Sequence, residues 1–381
     1  MDTDKRQEDY DQSERVSIPS PLLESILGSN ERLYGDFVGY VKALRKLQAD
    51  ARTILEKGNR IKKIGVGDSY PLDEVAGVDG TYYVKRTTAA DVYVIASLLL
   101  GAKVLDARSE TYIMPPSELS TNISQGIMAM LEVEAMVKNS GPGLTLYDGS
   151  FITQYIKIHS LYASYNSTSN SSRPVIDKSP VKSFMEAFRH KKGLLELLEK
   201  RNVVALSKES ASTSIVTDIL SRTKGHSDYA VVDRVLLSSV LQPGEYLTDR
   251  LDSKSSIHKD ESGMAFWLDD AAETRDALNA IQVLYLKPTK WAAAQRVEVS
   301  GECTKSDVEK IARSVASLYL TPTVLEPYPL FISDRICKCI GEPTEAITAS
   351  LVTRLAKESL GEFSLSGEEL QLMFRNYRTE D

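Results

Sequence analysis

GVDGTYY (residues 77–83) ends an apolar run in an aspartate, turns at a glycine and continues through a hydroxyl into aromatic residues. GLTLYDGS (143–150) ends in the same way, with an apolar run, Asp148, a glycine and Ser150. An aspartate at the end of an apolar strand carries a desolvation cost unless something offsets it. Glycine directly after it lets the backbone turn and leaves space beside the carboxylate. Ligands of α/β sheets gather beyond the strand ends. Two such aspartates on neighbouring strands raise each other's pKa by repulsion. A hard divalent cation, magnesium or manganese, relieves that conflict through carboxylate oxygens. The plain alternative for either site alone is an ordinary Asp-Gly turn capped by its side chain. The shared ending of the two runs favours metal binding by Asp79 and Asp148.

Outward from this stretch, EVAGVDGTYYVKR and ADVYVIASLLLGAKVL are rich in β-branched residues and predict two adjacent strands. Ser120 and Ser124 stand before a helical stretch, QGIMAMLEVEAMVKN, closed by Gly141-Pro142-Gly143, and GLTLYDGS returns to strand. Strand, strand, helix, strand predicts a mixed α/β sheet. The helix adds Glu132 and Glu134, which point to nearly opposite sides, so at most one faces the aspartates. The bland reading of either is a boundary residue. Further on, SPVKSFMEAFRHKKGLLELLEKRN predicts one helix, and VVALSKES a strand running into a loop. ALNAIQVLYLKP and QRVEVSG predict strands, and SDVEKIARSVASLYL and YPLFISDRICKCI helices. SYNSTSNSSRP (164–174) reads as a polar surface loop, and Ser366 with Glu369 as a capping box in the tail.

Residues 1–18 read as a disordered polar leader. Leu22 to Ile64 carries a helical pattern, with Val38, Val41, Leu44, Leu47, Ala51 and Ile54 at three- and four-residue steps. A helical region over 19–70, packing on its own domain, on a partner or on its twin, is therefore expected ahead of a larger α/β domain over 71–381. The 381 residues, 42% apolar and 26% charged, have the composition of a soluble globular protein. No apolar run approaches the length of a membrane span, and the opening residues are too polar for a secretory signal, so the expected location is cytoplasmic. A net charge of −7 argues against indiscriminate nucleic-acid binding but leaves room for a local basic groove. Cys303, Cys337, Cys339 and four dispersed histidines do not form a zinc pattern, which leaves oxygen ligands for any metal.

Two downstream elements suit phosphodiester chemistry. Lys208, in ALSKES, can stabilise charge on a pentavalent phosphate, and EPYPLFISDR brings Tyr328, Asp334 and Arg335 near a helix start. Their bland readings are a loop lysine, a packed aromatic and a surface pair. Taken in order, VDGT, a helix containing LE, LYDGS, SKES, D-x-x-LL…PGEY and PYPL…D resemble the NurA nuclease family over roughly residues 70–345. The resemblance implies an RNase H-like mixed sheet flanked by helices, with an N-terminal helical extension, in a homodimer with a central channel. It implies DNA cleavage with manganese or magnesium, two ions in the site, as 5′–3′ exonuclease and single-strand endonuclease. It also implies double-strand break end resection beside the hexameric HerA ATPase. Carried over, Asp79 and Asp148 match the metal-binding aspartates and Glu132 the helical glutamate, with Glu134 as fallback. Lys208 and Tyr328 match the lysine and tyrosine of the later motifs. Family members often have a histidine after PYPL; here Asp334 stands nearest, and it cannot donate a proton as an imidazolium does. Two other readings stand beside this one. A non-catalytic adaptor on a DNA translocase fits the missing histidine. An actin/hexokinase-type phosphotransferase also uses an Asp-Gly-Thr turn, but needs a Gly-rich nucleotide loop that this chain lacks.

Overall fold

The computed structural model describes residues 20–87, 90–114, 120–139, 143–167, 180–208, 211–223, 231–250 and 268–359. The leader and the tail capping box expected from the sequence lie outside these residues. The stretch around Asp79 forms β2 (Val75–Arg86), antiparallel to β3 (Asp91–Leu100), which pairs antiparallel with β4 (Val104–Met114). On its other side β2 runs parallel to β5 (Leu144–Asp148), and β5 parallel to β6 (Val203–Ser207). Parallel neighbours need long crossovers. These run through α3 (Ser120–Asn139), then through α4 (Phe151–Ser167), α5 (Pro180–His190) and α6 (Gly193–Glu199). A three-strand meander continued by two parallel strands is the RNase H-like arrangement.

Beyond β6 the sheet continues antiparallel through β9 (Gln295–Val299), β8 (Gln282–Lys287), β7 (Glu245–Arg250) and β1 (Ile61–Lys63). The result is one nine-stranded sheet in the order β1-β7-β8-β9-β6-β5-β2-β3-β4. Its two faces build separate cores. α3, α4 and α6 cover one face around Tyr93, Ile127, Met130, Tyr147 and Phe151. On the opposite face, α10 (Lys305–Ser317) and α11 (Tyr328–Cys337) pack Ile311, Val315 and Leu330 over Val75, Leu146 and Leu206. α12 (Gly341–Ser359) is fastened to β2 by Lys85, whose Nζ lies 2.7 Å from Glu345 Oε1. α9 (Ala271–Ala280) leads into β8.

The N-terminal helices α1 (Ser20–Gly28) and α2 (Asn30–Lys57) divide in character. Leu47, Ala51 and Leu55 of α2 are buried against α7 (Ser214–Arg222) and α8 (Asp233–Val240). Arg52 locks the contact with two hydrogen bonds to Glu245, at 2.5 and 3.0 Å. The C-terminal half of α2 thus packs on its own sheet. Leu27, Leu33, Tyr34 and Phe37, nearer the start, are exposed.

The structure overturns the turn expected at Gly80, because β2 runs on through it to Arg86 in register with β3, and it splits the strand expected over ADVYVIASLLLGAKVL between β3 and β4. Further boundaries differ from the sequence reading. The helical pattern through Ile64 ends at Lys57, because Gly58 and the left-handed Asn59 (φ 50°) stop the helix and Ile61–Lys63 pair with β7. The single helix expected after residue 179 is two, broken where Lys192 adopts φ 51° ahead of Gly193. Ser164–Ser167 belong to α4 rather than to a loop. Among the described residues no helix is long and apolar enough to cross a membrane.

Candidate metal centre

Strand register builds the site. Val78 pairs with Tyr147 across the parallel ladder, so Asp79 and Asp148 emerge side by side at the next position, about 4.8 Å apart in backbone spacing. Alternation then sorts the neighbours to the two faces. Gly77 and Asp79 face α11: a Cβ on Gly77 would fall 2.6 Å from the Pro329 backbone, and Cys337 Sγ donates to the Asp79 carbonyl at 3.3 Å. Gly80 faces α3, where a Cβ would stand 2.5 Å from Glu132 Oε1 and 2.7 Å from Met128 Cγ. Glu132 thus fills the space over Gly80 and reaches the sheet because residue 80 has no side chain, near enough for its charge to act on Asp79.

Burial and hydrogen bonds separate the two candidate glutamates. Glu132 is 2% exposed, and its Oε2 accepts from Gln154 Nε2 at 2.7 Å. Gln154 also donates to the Ala129 carbonyl at 2.8 Å, and its Oε1 accepts from the Tyr147 hydroxyl at 2.5 Å. With Oε2 held this way, Oε1 is the oxygen presented over Gly80. Glu134 turns elsewhere, to ion pairs with Arg108 and, at 3.0 Å, with Lys191.

On the far side of Asp148, Lys208 Nζ lies 2.5 Å from Asp148 Oδ2 and also contacts Glu326. Glu326 was not singled out in the sequence; its position two residues before Tyr328, in EPYPL, is the only signal it left. Tyr328 opens α11, 43% exposed, on the short stretch between Glu326 and the Pro329 that packs on Gly77. Asp334, further along α11, is close enough to Asp79 to raise its pKa and ion-pairs with Lys338 at 2.7 Å. Gln154 and Tyr147, which position Glu132, were also missed: FITQYIKIHSLYAS had not been read as a helix.

Electrostatics mark the cluster. Burial first, then the charges of Glu132, Asp148 and Asp334, push the Asp79 carboxyl up to about 7. Burial pushes Glu132 up to about 7 as well; Lys157 and the Gln154 hydrogen bond oppose this, and Asp148 reinforces it. Burial, then Glu132, Asp148 and Asp79, hold the Tyr147 hydroxyl well above its ordinary value, so it stays a donor to Gln154. Burial disfavours the Lys208 charge, but its hydrogen bonds to Asp148 and Glu326 outweigh this and raise its pKa. Perturbed carboxylates gathered in one place are a functional-site signature. Among the described residues, no three His, Cys, Asp or Glu side chains already converge as a formed cage. The donor set still fits a hard cation: oxygen ligands only, two acids short of compensating charge, and a glutamate oxygen directed into the gap above Gly80.

Comparison with known proteins agrees with this geometry. The NurA domain family profile matches residues 73–338. The NurA nuclease from Sulfolobus solfataricus is similar at 13% identity with a TM-score of 0.58, over 90% of this chain and 98% of that one. A NurA structure bound to dAMP and manganese is similar at 14% identity with a TM-score of 0.56, over 91% of this chain and 99% of that one. A NurA structure with manganese follows at 13% identity and a TM-score of 0.54, over 86% and 98% of the respective chains. No curated protein matches the chain in sequence.

Proposed function

This chain belongs to the NurA nuclease family, and from that premise we propose that it is a divalent-metal-dependent deoxyribonuclease. The observation that carries the reading is the pair Asp79 and Asp148, side by side where the parallel ladder of β2 and β5 stops, with Glu132 over Gly80 near enough for its charge to act on Asp79. Asp79, Asp148 and Glu132 would hold manganese or magnesium, in a site for two ions. Such ions supply a water of lowered pKa and charge stabilisation at the phosphate oxygens. Gln154 orients Glu132 by occupying one of its oxygens. Lys208 carries the positive charge beside Asp148 and stands ready to exchange that carboxylate for a substrate phosphate, an exchange of one anion for another. Tyr328, 43% exposed at the start of α11, would meet the substrate. Asp334 adds negative charge near Asp79 and supports no imidazolium-like proton donation.

The finer reading is 5′–3′ exonuclease and single-strand endonuclease action on DNA ends. The chain would work in the cytoplasm as a homodimer beside a hexameric HerA-type ATPase, in the resection of double-strand breaks. Two observations support it: a similar chain binds dAMP and manganese, and a net charge of −7 suits an enzyme to which a translocase delivers DNA. The exposed residues Leu33, Tyr34 and Phe37 of α2 offer a face for the ATPase. The test is digestion of end-labelled DNA with manganese, magnesium or EDTA, with and without the ATPase, for the native chain and for Asp79→Asn. Metal-dependent degradation that Asp79→Asn abolishes is expected. Degradation that persists unchanged in pure Asp79→Asn protein refutes this site, and no degradation under any condition favours the adaptor reading.

A further inference from the structure

Ser150, the hydroxyl residue that closes LYDGS, is tied to a strand further along the sheet. Its Oγ donates to Glu298 of β9, 2.9 Å from Oε1 and 3.0 Å from Oε2, and the Phe151 amide donates to the same Oε2 at 2.9 Å. Glu298 is fully buried. Arg296, two residues earlier on the same strand, supplies the counter-charge: its Nε donates to Glu298 Oε1 at 3.1 Å, and its Nη2 lies 2.9 Å from that oxygen. Register explains the reach. Val78, Tyr147, Ala205 and Glu298 pair in one row across β2, β5, β6 and β9. Side chains of one row share a face of the sheet, and the small Ala205 leaves the way open from Glu298 to the start of α4.

These bonds differ from those of an ordinary helix cap. A capping serine accepts from the amides of its own first turn. Ser150 does so at 3.3 Å, from Ile152, and gives its hydrogen to Glu298. The first amide of α4 also goes to the sheet. A buried Glu–Arg pair is in itself weak evidence of a stabilising role, because apolar side chains of similar volume often serve as well. What this pair does is fasten the turn that follows Asp148. The Gly149 amide donates to the Leu206 carbonyl at 3.0 Å, and the next two residues hang on Glu298. On the near side, the Tyr147 hydroxyl is held by Gln154. The Asp148 carboxylate itself meets Lys208 at 2.5 Å, a contact that ends when Lys208 turns to a substrate phosphate.

We propose that Glu298 is a positioning residue of the metal centre, holding Asp148 in place through Ser150 and the first turn of α4 while touching neither metal nor substrate. This rests on the metal-binding reading above and adds a residue to it. Once Lys208 has left Asp148, the anchored turn keeps the carboxylate beside Asp79. Side chains that hold metal ligands in this indirect way are typically worth about 10–100-fold in metal affinity.

The experiment is titration calorimetry of the full chain with manganese alone, with the Tm in EDTA as a separate record of stability. Ser150→Ala deletes the hydroxyl and leaves Glu298 bonded to Arg296 and to the Phe151 amide. It is expected to weaken manganese binding about tenfold and to raise the manganese needed for half-maximal cleavage equally, with the rate at saturating manganese kept within about twofold. Ser150→Thr, which retains the hydroxyl, should restore native binding. Glu298→Gln should weaken binding at least as much as Ser150→Ala; it also leaves Arg296 buried without an anion, so Ser150→Ala decides if that variant does not fold. Thr304→Ala removes a helix cap from α10 at the other end of β6, where Asp307 meets Arg201, and should leave manganese binding unchanged. Native affinity in Ser150→Ala, or an equal loss in Thr304→Ala, overturns the positioning role and leaves the nuclease reading in place. A native chain that takes up no manganese overturns the metal centre itself, and the positioning role with it.

Discussion

Replacing Asp79 with Asn removes one negative charge while nearly keeping the shape of the side chain. In the metal-free protein the Asp79 carboxyl is held at about 7 by burial and by Glu132, Asp148 and Asp334. In the unfolded chain it titrates near ~3.9. An acid raised on folding binds more protons folded than unfolded between those two values. Stability contributed by its protonated form is complete below about 4, falls as pH rises and is gone above about 7. Across roughly three pH units, at ~1.36 kcal/mol each, the ionised carboxylate costs about 4 kcal/mol. Asn cannot ionise, though its buried amide returns about 1–2 kcal/mol of that gain if it lacks a partner. In EDTA at pH 8, Asp79→Asn is therefore expected to be about 2–3 kcal/mol more stable than the native chain, a rise of several degrees in Tm. The advantage should disappear by pH 4. Manganese should raise the Tm of the native chain strongly at pH 8 and that of the variant little, while nuclease activity is lost. Calorimetry at pH 4 and pH 8, with EDTA or manganese, checks the stabilities, and digestion of end-labelled DNA checks the activity. A folded variant that is less stable than the native chain in EDTA at pH 8, or that gains as much from manganese, would refute the reasoning.

Gly80→Ala drives a methyl against Glu132 Oε1 and Met128, so manganese affinity by titration calorimetry should fall and stability should drop by about 1–3 kcal/mol. Glu132→Gln should abolish metal-dependent cleavage, whereas Glu134→Gln, which only frees Arg108 and Lys191, should keep most of it in a turnover assay. Lys208→Met should lower kcat about 100-fold without weakening manganese binding, because the ammonium competes with the ion for Asp148. Arg52→Ala leaves Glu245 buried without its cation; stability should fall by about 2–4 kcal/mol, with faster hydrogen exchange in α2.

Asp79 and Asp148 were legible because each is announced locally, by an apolar run that ends in an acid and a glycine. Their adjacency is a property of the β2–β5 ladder and had to be assumed from the sequence. The choice between Glu132 and Glu134 was not legible: it depends on how α3 is rotated over the sheet, and the missing Cβ at residue 80 decides that. Glu326 was hidden because its role is to touch Lys208, more than a hundred residues earlier in the chain. β4 escaped for a different reason. Its charged residues Asp106, Arg108 and Glu110 share the face towards α3, where Arg108 pairs with Glu134, and its aliphatic residues Leu105 and Ile113 look outward. That inverts the usual alternation, so a hydrophobicity pattern points the strand the wrong way.

The bond between Arg52 and Glu245 joins residues 193 positions apart, and β1 waits for the same partner strand, β7. During synthesis at about 5–20 residues per second, α2 emerges some 10–40 s before its partner strand exists. Throughout that interval Leu47, Ala51 and Leu55, destined for the core, stand on a free amphipathic helix. The strands from β2 to β6 and the helices on their first face lie wholly within that interval, whereas α10 and α11, which cover the second face, are made later. The nascent chain is therefore expected to carry a half-covered sheet with its first helix still unattached, and that helix is where a chaperone would bind.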